Sequence, residues 1–270
     1  MNWTTQAVVV TGATKGIGRA ITEVLTSKGA RVGAIARSES DLDRLAASPG
    51  ARGRVEVAVA DVGSRDSLHS AIASLAARLG EIDILVNNAG IGLYGPVGEL
   101  DPGIAEKLMR VNYLGTLYGT QAVLPGMLAR RSGHIVNVAS IAGRIGAPFE
   151  AAYAASKFAV VGLTEALAVE VGHFGIKVSM VNPGPVETGF FDARGHPYER
   201  RRPKPVPAAA VADAVIEVVE TGRLERSVPR SLGRAVALRH LSPRLFAVGT
   251  RVAFRKELRR YHRELGVPTP

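Results

Sequence analysis

Short apolar runs alternate with longer amphipathic segments along most of the chain. Runs rich in valine, isoleucine and alanine, such as the one that ends at Thr11, are typical of strands buried on both faces. Segments with apolar positions three and four residues apart are typical of helices. This alternation predicts stacked strand–helix–strand units. We therefore expect an α/β fold with a doubly wound parallel sheet in a single domain, followed by a helical extension at the C-terminus.

The boundaries of these elements follow from the same pattern. Residues 186–207 form a connection rich in proline and arginine that is longer than an ordinary loop and is typical of a lid. The chain divides into a first unit at 1–228 and a basic, amphipathic tail at 229–270. The predicted strands are 6–11, 31–36, 55–60, 82–86, 135–138 and 178–181, and the predicted helices are 17–28, 41–47, 65–79, 104–131, 152–174 and 208–220.

Composition narrows the classes of function. The 270 residues are 46% hydrophobic, which is enough for a sizeable core, and none is cysteine. Disulfides, thiolate catalysis and cysteine metal sites are excluded, and we expect no metal site. The N-terminal residues lack the pattern of a signal peptide, and no run of uncharged apolar residues is long enough to span a membrane. These features predict a cytoplasmic protein.

The net charge of +10 is concentrated near the C-terminus. Residues 1–198 carry 18 basic and 17 acidic side chains, whereas residues 199–270 carry 16 basic and 7 acidic ones. Three interpretations stay open for the tail: packing on the body or a partner subunit, which we favour, contact with an anionic membrane surface, and nucleic acid binding, which we do not expect. Its apolar positions near helical spacing are Leu241, Leu245, Val248, Val252, Leu258, Tyr261 and Leu265.

A glycine-rich turn connects the first strand to the first helix. Gly12, Gly16 and Gly18 let a dinucleotide pyrophosphate approach the backbone N–H groups at a helix N-terminus. In many NAD-binding proteins an acidic residue ends the second strand and binds the ribose hydroxyls, but here Arg37 follows that strand. Arg37 and Lys15 would pair with a 2′-phosphate. The pattern therefore predicts NADP(H), with NAD(H) as the less favoured cofactor.

Tyr153 and Lys157 stand four residues apart on a predicted helix. This spacing places both side chains on one face, where a cation would lower the pKa of the phenol and let it exchange a proton near neutral pH. Alone, the pair would be read as a coincidence of surface residues. Ser140, at the end of an apolar run upstream, gives the pair a candidate partner.

Six segments occur in one order along the chain: T-G-A-T-K-G-I-G at 11–18, N-N-A-G at 87–90, Asn112, Ser140, Y-x-x-x-K at 153–157 and P-G-P-V-E-T at 183–188. Together they resemble the short-chain dehydrogenase/reductase family over about residues 5–225. The resemblance implies a Rossmann-type sheet, with a dinucleotide-binding and catalytic domain at 1–228, and a nicotinamide cofactor at the carboxyl ends of the strands.

The resemblance also implies a role for each matching residue. Ser140 would polarise the substrate carbonyl, Tyr153 would be the general acid or base, and Lys157 would bind the nicotinamide ribose and lower the tyrosine pKa. Asn112 would connect Lys157 to solvent through a water molecule. The cofactor residues implied are Gly12, Thr14, Lys15, Gly16, Ile17, Gly18, Arg37, Asp61, Val62, Asn88, Ala89, Gly90, Tyr153, Lys157, Pro183, Gly184, Val186 and Thr188.

Some of these residues have a purely structural alternative. Asn87, next to the adenosine lining, could only tie strands together, and Asp61 could only cap a turn. The basic side chains of the lid could bind an acidic substrate, although a solvated charge run is the simpler interpretation; they are Arg200, Arg201, Arg202 and Lys204.

The expected function is NADPH-dependent interconversion of a ketone or aldehyde and an alcohol. Aromatic and apolar residues in the loops around the site favour an apolar or lipid-like substrate; they are Leu93, Tyr94, Phe149, Phe190 and Phe191. The alternative is a non-catalytic NADP-binding regulatory or scaffold protein that uses the tail for interaction. The resemblance further implies a homodimer or homotetramer that pairs through helices 104–131 and 152–174.

Overall fold

The protein is built around a seven-stranded parallel sheet. The computed structural model describes residues 1–198 and 203–265, so the predictions for Arg200, Arg201 and Arg202 lie outside the described residues. The strand order is β3-β2-β1-β4-β5-β6-β9, and a separate parallel pair joins β7 to β8. The strands are β1 (Ala7–Thr11), β2 (Arg31–Ala36), β3 (Val55–Val59), β4 (Ile84–Asn87), β5 (Gly133–Val138), β6 (Ile176–Pro183), β7 (Val186–Glu187), β8 (Val206–Pro207) and β9 (Glu225–Val228).

Helices cover both faces of the large sheet. One apolar core lies between the sheet and α1 and α8, and a second lies on the opposite face under α3, α5 and α6. The sheet is therefore the middle of three layers. The helices are α1 (Gly16–Ser27), α2 (Glu39–Ala46), α3 (Arg65–Leu79), α4 (Pro102–Leu108), α5 (Gly115–Arg130), α6 (Ala151–Gly172), α7 (Phe190–Ala193), α8 (Ala208–Thr221), α9 (Leu232–Leu241), α10 (Pro243–Ala253) and α11 (Arg255–Glu264).

The strand order reverses direction between β1 and β4. From β1 the sheet grows through β2 to β3 on one side and through β4 to β9 on the other. At such a switch point the connections leave in opposite directions and open a crevice at the carboxyl ends of the strands, where ligands bind in open α/β sheets. Because every pair in the large sheet is parallel, the loops after β1, β4, β5 and β6 all meet at this edge.

The sequence pattern predicted most of the central strands and helices closely, but the structure before the tail differs from it in three places. The segment predicted as an irregular lid contains the short elements β7, α7 and β8. The stretch predicted as one helix at 104–131 is interrupted by a π-helical turn at Met109–Leu114, between α4 and α5. The edge strand β9 was not predicted, since its sequence E-R-S-V has the charged residues of a surface loop. It forms because the edge of β6 pairs with it in parallel, from Met180 to Pro183.

The tail forms three short helices rather than one. Pro243 cannot continue α9 because its nitrogen carries no hydrogen, and α10 begins at this residue. Phe254, between α10 and α11, is buried. Among the described residues, no helix is both long enough and apolar enough to cross a membrane.

Candidate active site

Tyr153 and Lys157 lie one turn apart on α6, and both side chains are buried. The Lys157 Nζ donates a hydrogen bond to the Val138 carbonyl oxygen, 3.0 Å away, at the end of β5. Burial lowers the pKa of Lys157 to about 8 and raises the pKa of Tyr153 to about 12, because both charged forms lose solvation. The phenol is therefore protonated at neutral pH.

Ser140 lies directly beside this pair. It follows β5 as the first residue of a short 3-10 turn, and its Oγ accepts a hydrogen bond from the Ala142 N–H at 3.1 Å. The Ser140 hydroxyl donates to the Pro183 carbonyl oxygen at 3.5 Å, and Ser140 also lies near enough to Tyr153 to offset part of the rise in the tyrosine pKa. Two hydroxyl groups thus lie close together in a buried environment, and a carbonyl oxygen placed between them could accept two hydrogen bonds.

The expected lowering of the Tyr153 pKa by Lys157 is wrong for this structure. Desolvation is the largest influence and acts in the opposite direction, and the Glu150 carboxylate raises the pKa further. Ser140 and Arg194 lower it, but they do not outweigh burial. The contribution of Lys157 to cofactor binding stays a prediction.

Asn112 points inward from the π-helical turn and is almost fully buried. Its Nδ2 donates to the Ser156 Oγ at 2.9 Å and to the Ile91 carbonyl oxygen at 3.0 Å, while its Oδ1 accepts from the Ile91 N–H at 2.8 Å. These bonds connect the loop after β4 to α6. A Cβ added to Gly90 would lie 3.2 Å from the Asn112 Oδ1 and 3.5 Å from the Lys157 Nζ, so the two groups share that loop. The water relay stays a prediction.

The glycine-rich turn has the backbone shape that the sequence predicted. Gly12 and Gly16 have positive φ values of 65° and 51°, which favour glycine. A Cβ on Gly18 would lie only 2.1 Å from the Gly12 carbonyl oxygen, and one on Gly12 would lie 2.9 Å from the Ala89 Cα. The turn therefore packs against the loop after β4, and the backbone of Gly16 opens α1. Thr14 and Ile17 are half-buried beside it.

The two basic residues predicted for a 2′-phosphate have different surroundings. Arg37 is exposed directly after β2. Lys15 is exposed as well, but its Nζ lies 3.1 Å from the Asp41 Oδ2. Asp41 also pairs with Arg44, and these hydrogen bonds lower the pKa of the Asp41 carboxyl. Sequence reasoning missed Asp41, although its position in the first turn of α2, three residues after the capping Ser38, was visible.

The predicted adenosine residues lie where β3 and β4 end, and some have structural partners. The exposed Asp61 accepts a hydrogen bond from the Gly63 N–H at 2.9 Å, as a turn cap does. The Asn87 Nδ2 donates to the Asn137 Oδ1 at 3.0 Å and so ties β4 to β5. The Asn88 Nδ2 donates to the Thr11 carbonyl oxygen at 2.9 Å and holds the ends of β1 and β4 together. Val62 is buried in the core.

The segment after β6 faces the glycine-rich turn. A Cβ on Gly16 would lie 3.1 Å from the Thr188 Cγ2, so Thr188 is near the head of α1. Gly184, which follows Pro183, donates from its N–H to the Val228 carbonyl oxygen at 2.7 Å. Val186 is buried in the core rather than exposed to a ligand.

Aromatic residues lie near Tyr153. Phe190 lies with its ring centroid 5.6 Å from that of Tyr153, and Phe149 is 5.6 Å from Tyr94 by the same measure. Phe149 has a positive φ of 65°, which is uncommon for a bulky residue. A small cavity beside Tyr153 is lined mostly by apolar groups of the loop at 93–100 and by residues 149–152.

A buried ion pair that the sequence did not predict holds the lid segment to α6. The Arg194 Nη1 lies 2.5 Å from the Glu150 Oε1, and their side chains are 4% and 14% exposed. The guanidinium stacks between two rings, 5.0 Å from the Tyr94 centroid and 4.6 Å from that of Phe191. The pair anchors the residue after α7 to the residue that precedes α6.

Comparison with known proteins places these features in a family. A family model described as short chain dehydrogenase matches residues 6–199. The chain is 37% identical over 189 residues to 3-ketodihydrosphingosine reductase of Bacteroides thetaiotaomicron, an alignment that covers 70% of this chain and 67% of the relative. It is 39% identical over 190 residues to retinol dehydrogenase 8 of Homo sapiens, which covers 68% of this chain and 60% of the relative.

Solved structures give the same result for the fold. A short-chain dehydrogenase/reductase from Burkholderia phymatum in complex with NAD superposes with a TM-score of 0.80 at 29% identity, over 89% of this chain and 94% of that one. A 3-oxoacyl-[acyl-carrier protein] reductase from Brucella melitensis with bound NAD gives a TM-score of 0.74 at 30% identity, over 83% of this chain and 89% of that one.

The buried pair of Arg194 and Glu150 leads to a prediction about stability. Arg194→Met leaves the Glu150 carboxylate buried without its cation, so we expect the free energy of unfolding to fall by about 3–5 kcal/mol. Adding Glu150→Gln removes the uncompensated charge, and the double variant should recover a large part of that loss. Urea denaturation of the four proteins of this cycle measures both effects.

The control is the exposed pair of Arg19 and Glu23, whose side chains are 57% and 54% exposed. Arg19→Met should change the free energy of unfolding by no more than about 1 kcal/mol. Equal losses in Arg194→Met and Arg19→Met would contradict a stabilising role for the buried pair.

Proposed function

This chain belongs to the short-chain dehydrogenase/reductase family and is an oxidoreductase that interconverts carbonyl and alcohol groups with a nicotinamide cofactor; on that premise we propose that it reduces an apolar, lipid-like carbonyl with NADPH. The observation that carries the proposal is the buried phenol of Tyr153, which lies close to the buried Ser140 hydroxyl and one helical turn from Lys157 and is protonated at neutral pH. A protonated donor suits reduction, because the carbonyl oxygen must gain a proton as it becomes an alcohol.

Each residue of the cluster has one task in this proposal. Ser140 and Tyr153 donate hydrogen bonds to the substrate oxygen, and Tyr153 then releases its proton to that oxygen. The Lys157 ammonium, one turn after Tyr153, would hold the nicotinamide ribose, which is the role that the family resemblance implies. Asn112 positions α6 by its bond to Ser156.

The residues at the switch point fit a nicotinamide dinucleotide. The backbone of Gly12, Gly16 and Gly18 forms a cradle at the N-terminus of α1 that any Cβ on Gly18 would obstruct. Thr188 lies beside Gly16 in that cradle, and Gly90 lies beside Lys157. The bound cofactor would supply the hydride, which the side chains of the protein cannot provide.

A preference for NADPH rests on Arg37. Its exposed guanidinium follows β2, where an acidic residue would repel a 2′-phosphate and a cation attracts one. Lys15 supports a preference for NADPH less strongly than the sequence implied, because its ion pair with Asp41 offsets part of its charge. The two solved relatives described above contain NAD, so the preference is a property proposed for this chain alone.

An apolar substrate is supported by the lining of the site. Phe190 contacts the Tyr153 ring, and the neighbouring cavity is lined by Leu93, Val97 and Leu100 among others. A pocket of this kind gains binding free energy from apolar surface removed from water. Two relatives are named for 3-ketodihydrosphingosine and for retinol, and each of these molecules has a long hydrocarbon portion. A homodimer or homotetramer stays a prediction from the family.

Removal of the Tyr153 hydroxyl tests the catalytic proposal. Tyr153→Phe should lower turnover of an apolar ketone by about 100-fold or more, since the general acid is lost, while the Kd for NADPH changes little. NADPH absorbance measures turnover, and fluorescence titration measures binding. Tyr118→Phe removes a hydroxyl from α5, away from the cluster, and is the matched control. Turnover in Tyr153→Phe equal to wild type would favour the non-catalytic, NADP-binding alternative.

The pKa of Lys157 predicts the pH profile of reduction. The pKa is lowered to about 8, so the ammonium is fully charged below this value and loses its proton as the pH rises through it. We expect kcat/KM for carbonyl reduction to be constant at lower pH and to fall above about pH 8, while Tyr153 stays protonated. The guanidinium of Lys157→Arg stays charged in this pH range, so any activity that this variant retains should not fall above about pH 8. A wild-type profile without the limb would contradict the assignment.

Charge reversal at Arg37 tests the cofactor preference. Because a charge-assisted hydrogen bond contributes about 1.5–3 kcal/mol, Arg37→Asp should weaken NADPH binding roughly 10- to 100-fold and make NADH the tighter ligand. Fluorescence titration with each cofactor measures both constants. Arg31→Asp makes the same change at the other end of β2 and should leave the ratio unchanged. Equal affinities for NADPH and NADH in the wild-type protein would refute the preference.

A further inference from the structure

The helix α10 presents an apolar stripe to solvent. Four residues of the tail are strongly exposed: Leu241 at 86%, Leu245 at 62%, Val248 at 55% and Val252 at 68%. Leu245, Val248 and Val252 are spaced by three and four residues and share one face of α10, and Leu241 is the last residue of α9, two positions before that helix begins. The opposite face is the packed one, since Phe246 and Thr250 are half-buried. Monomeric proteins seldom expose several neighbouring apolar side chains, because their contact with water is unfavourable in free energy.

The next helix presents a cationic face. The exposed residues of α11 include five basic ones, one of which, Arg260, pairs with Glu264 at 3.0 Å. From 229 to 265 the tail has ten arginine and lysine residues against two glutamates. The five basic residues are Arg255, Lys256, Arg259, Arg260 and Arg263. An apolar stripe is thus followed directly by a surface of positive charge.

The inner side of α11 is attached to the body near the active site. Tyr261 packs edge-on against Phe149, with ring centroids 5.7 Å apart, and Phe254 is buried. The Tyr261 hydroxyl also lies near Gly98, in the loop that lines the cavity beside Tyr153. In α9, Val236 is buried, and the Arg239 guanidinium stacks on Phe158 at 5.2 Å. The tail is therefore a fixed part of the surface at the mouth of the site.

We propose that this tail surface, formed by the α10 stripe and the basic face of α11, docks the enzyme on an anionic lipid bilayer. Leucine and valine would enter the boundary between headgroups and acyl chains, and the arginines would contact lipid phosphates, as interfacial amphipathic helices do. Each basic residue near an anionic surface strengthens membrane binding about fivefold, the factor that corresponds to roughly 1 kcal/mol of attraction.

Charge complementarity favours a bilayer over the other occupants. A second copy of the chain that used the same surface across a two-fold axis would bring the arginines of one α11 toward those of the other, which costs free energy. A nucleic acid would neutralise the arginines but leave the leucine and valine side chains of α10 in water. Of these three occupants, only an anionic bilayer can contact both the apolar side chains of α10 and the basic side chains of α11.

Docking at this surface would deliver an apolar substrate from the bilayer, a consequence that rests on the proposed function. Because Tyr261 touches Phe149, the membrane-facing tail and the apolar lining beside Tyr153 are connected through one pair of rings. A lipid-like carbonyl could then pass from the bilayer to the site without crossing bulk water.

Vesicle flotation of the full-length protein tests the docking. The wild type should float with vesicles of equimolar phosphatidylcholine and phosphatidylserine and not with vesicles of phosphatidylcholine alone. Arg259→Glu with Arg263→Glu should reduce the bound fraction at least about tenfold, because each cation contributes about 1 kcal/mol near the surface. Leu245→Ser with Val248→Ser should reduce it by a similar factor, because the apolar contact is lost.

Matched variants away from the tail serve as controls. Arg52→Glu with Arg65→Glu changes the net charge equally at two exposed positions, and Val59→Ser replaces an apolar side chain that is 52% exposed on β3. Both should float like the wild type. Absence of wild-type flotation, or equal loss in the controls, would overturn the proposal. So would a Leu245→Ser, Val248→Ser protein that floats normally but loses mass in sedimentation equilibrium, since the stripe would then join two copies.

Activity separates a failure of docking from a failure of the proposed function. With a small, water-soluble ketone, the tail variants should turn over like the wild type. With a long-chain ketone dissolved in the anionic vesicles, their rate should fall at least about tenfold with the bound fraction. No turnover of either ketone by the wild type would refute the proposed reductase function, whereas flotation would still report on docking.

Discussion

The hydrogen bond from the Lys157 ammonium to the Val138 carbonyl is the contact on which the arrangement of the site depends. A buried ammonium without a partner is costly, so the partner at the end of β5 fixes the rotation of α6 against the sheet. That rotation places Tyr153, one turn earlier, beside the residue that follows β5, which is Ser140. The parallel register of β1, β4, β5 and β6 brings the glycine-rich turn to the same edge.

Burial of Tyr153 and Lys157 also determines their protonation states. Loss of solvation moves the two pKa values apart, up to about 12 for Tyr153 and down to about 8 for Lys157, because each group is disfavoured in its charged form. The result is a neutral phenol beside a lysine that holds its proton only moderately well. This protonation state suits an enzyme that gives a proton to a carbonyl, and it agrees with membership of an oxidoreductase family.

Local pattern predicted the elements wherever one periodicity dominated. The buried parallel strands were found because both of their faces are apolar, and α3 was predicted at its observed bounds. The π-helical turn was missed because the apolar spacing does not change there, although that turn directs Asn112 to Ser156. β9 was missed because its identity depends on the exposed edge of β6. The tail was predicted as amphipathic, but Pro243 divides it into helices of different surface character.

The sequence by itself determined the family, the doubly wound fold and the identity of the catalytic candidates, because these depend on residue type, spacing and order. Only the tertiary structure decided the direction of the Tyr153 pKa shift, the pairing of Lys15 with Asp41, and the ion pair of Arg194 with Glu150. It also decided which apolar residues of the tail are exposed. The reason is physical: desolvation, ion pairing and exposure depend on neighbours that are distant in the chain, and no local pattern specifies them.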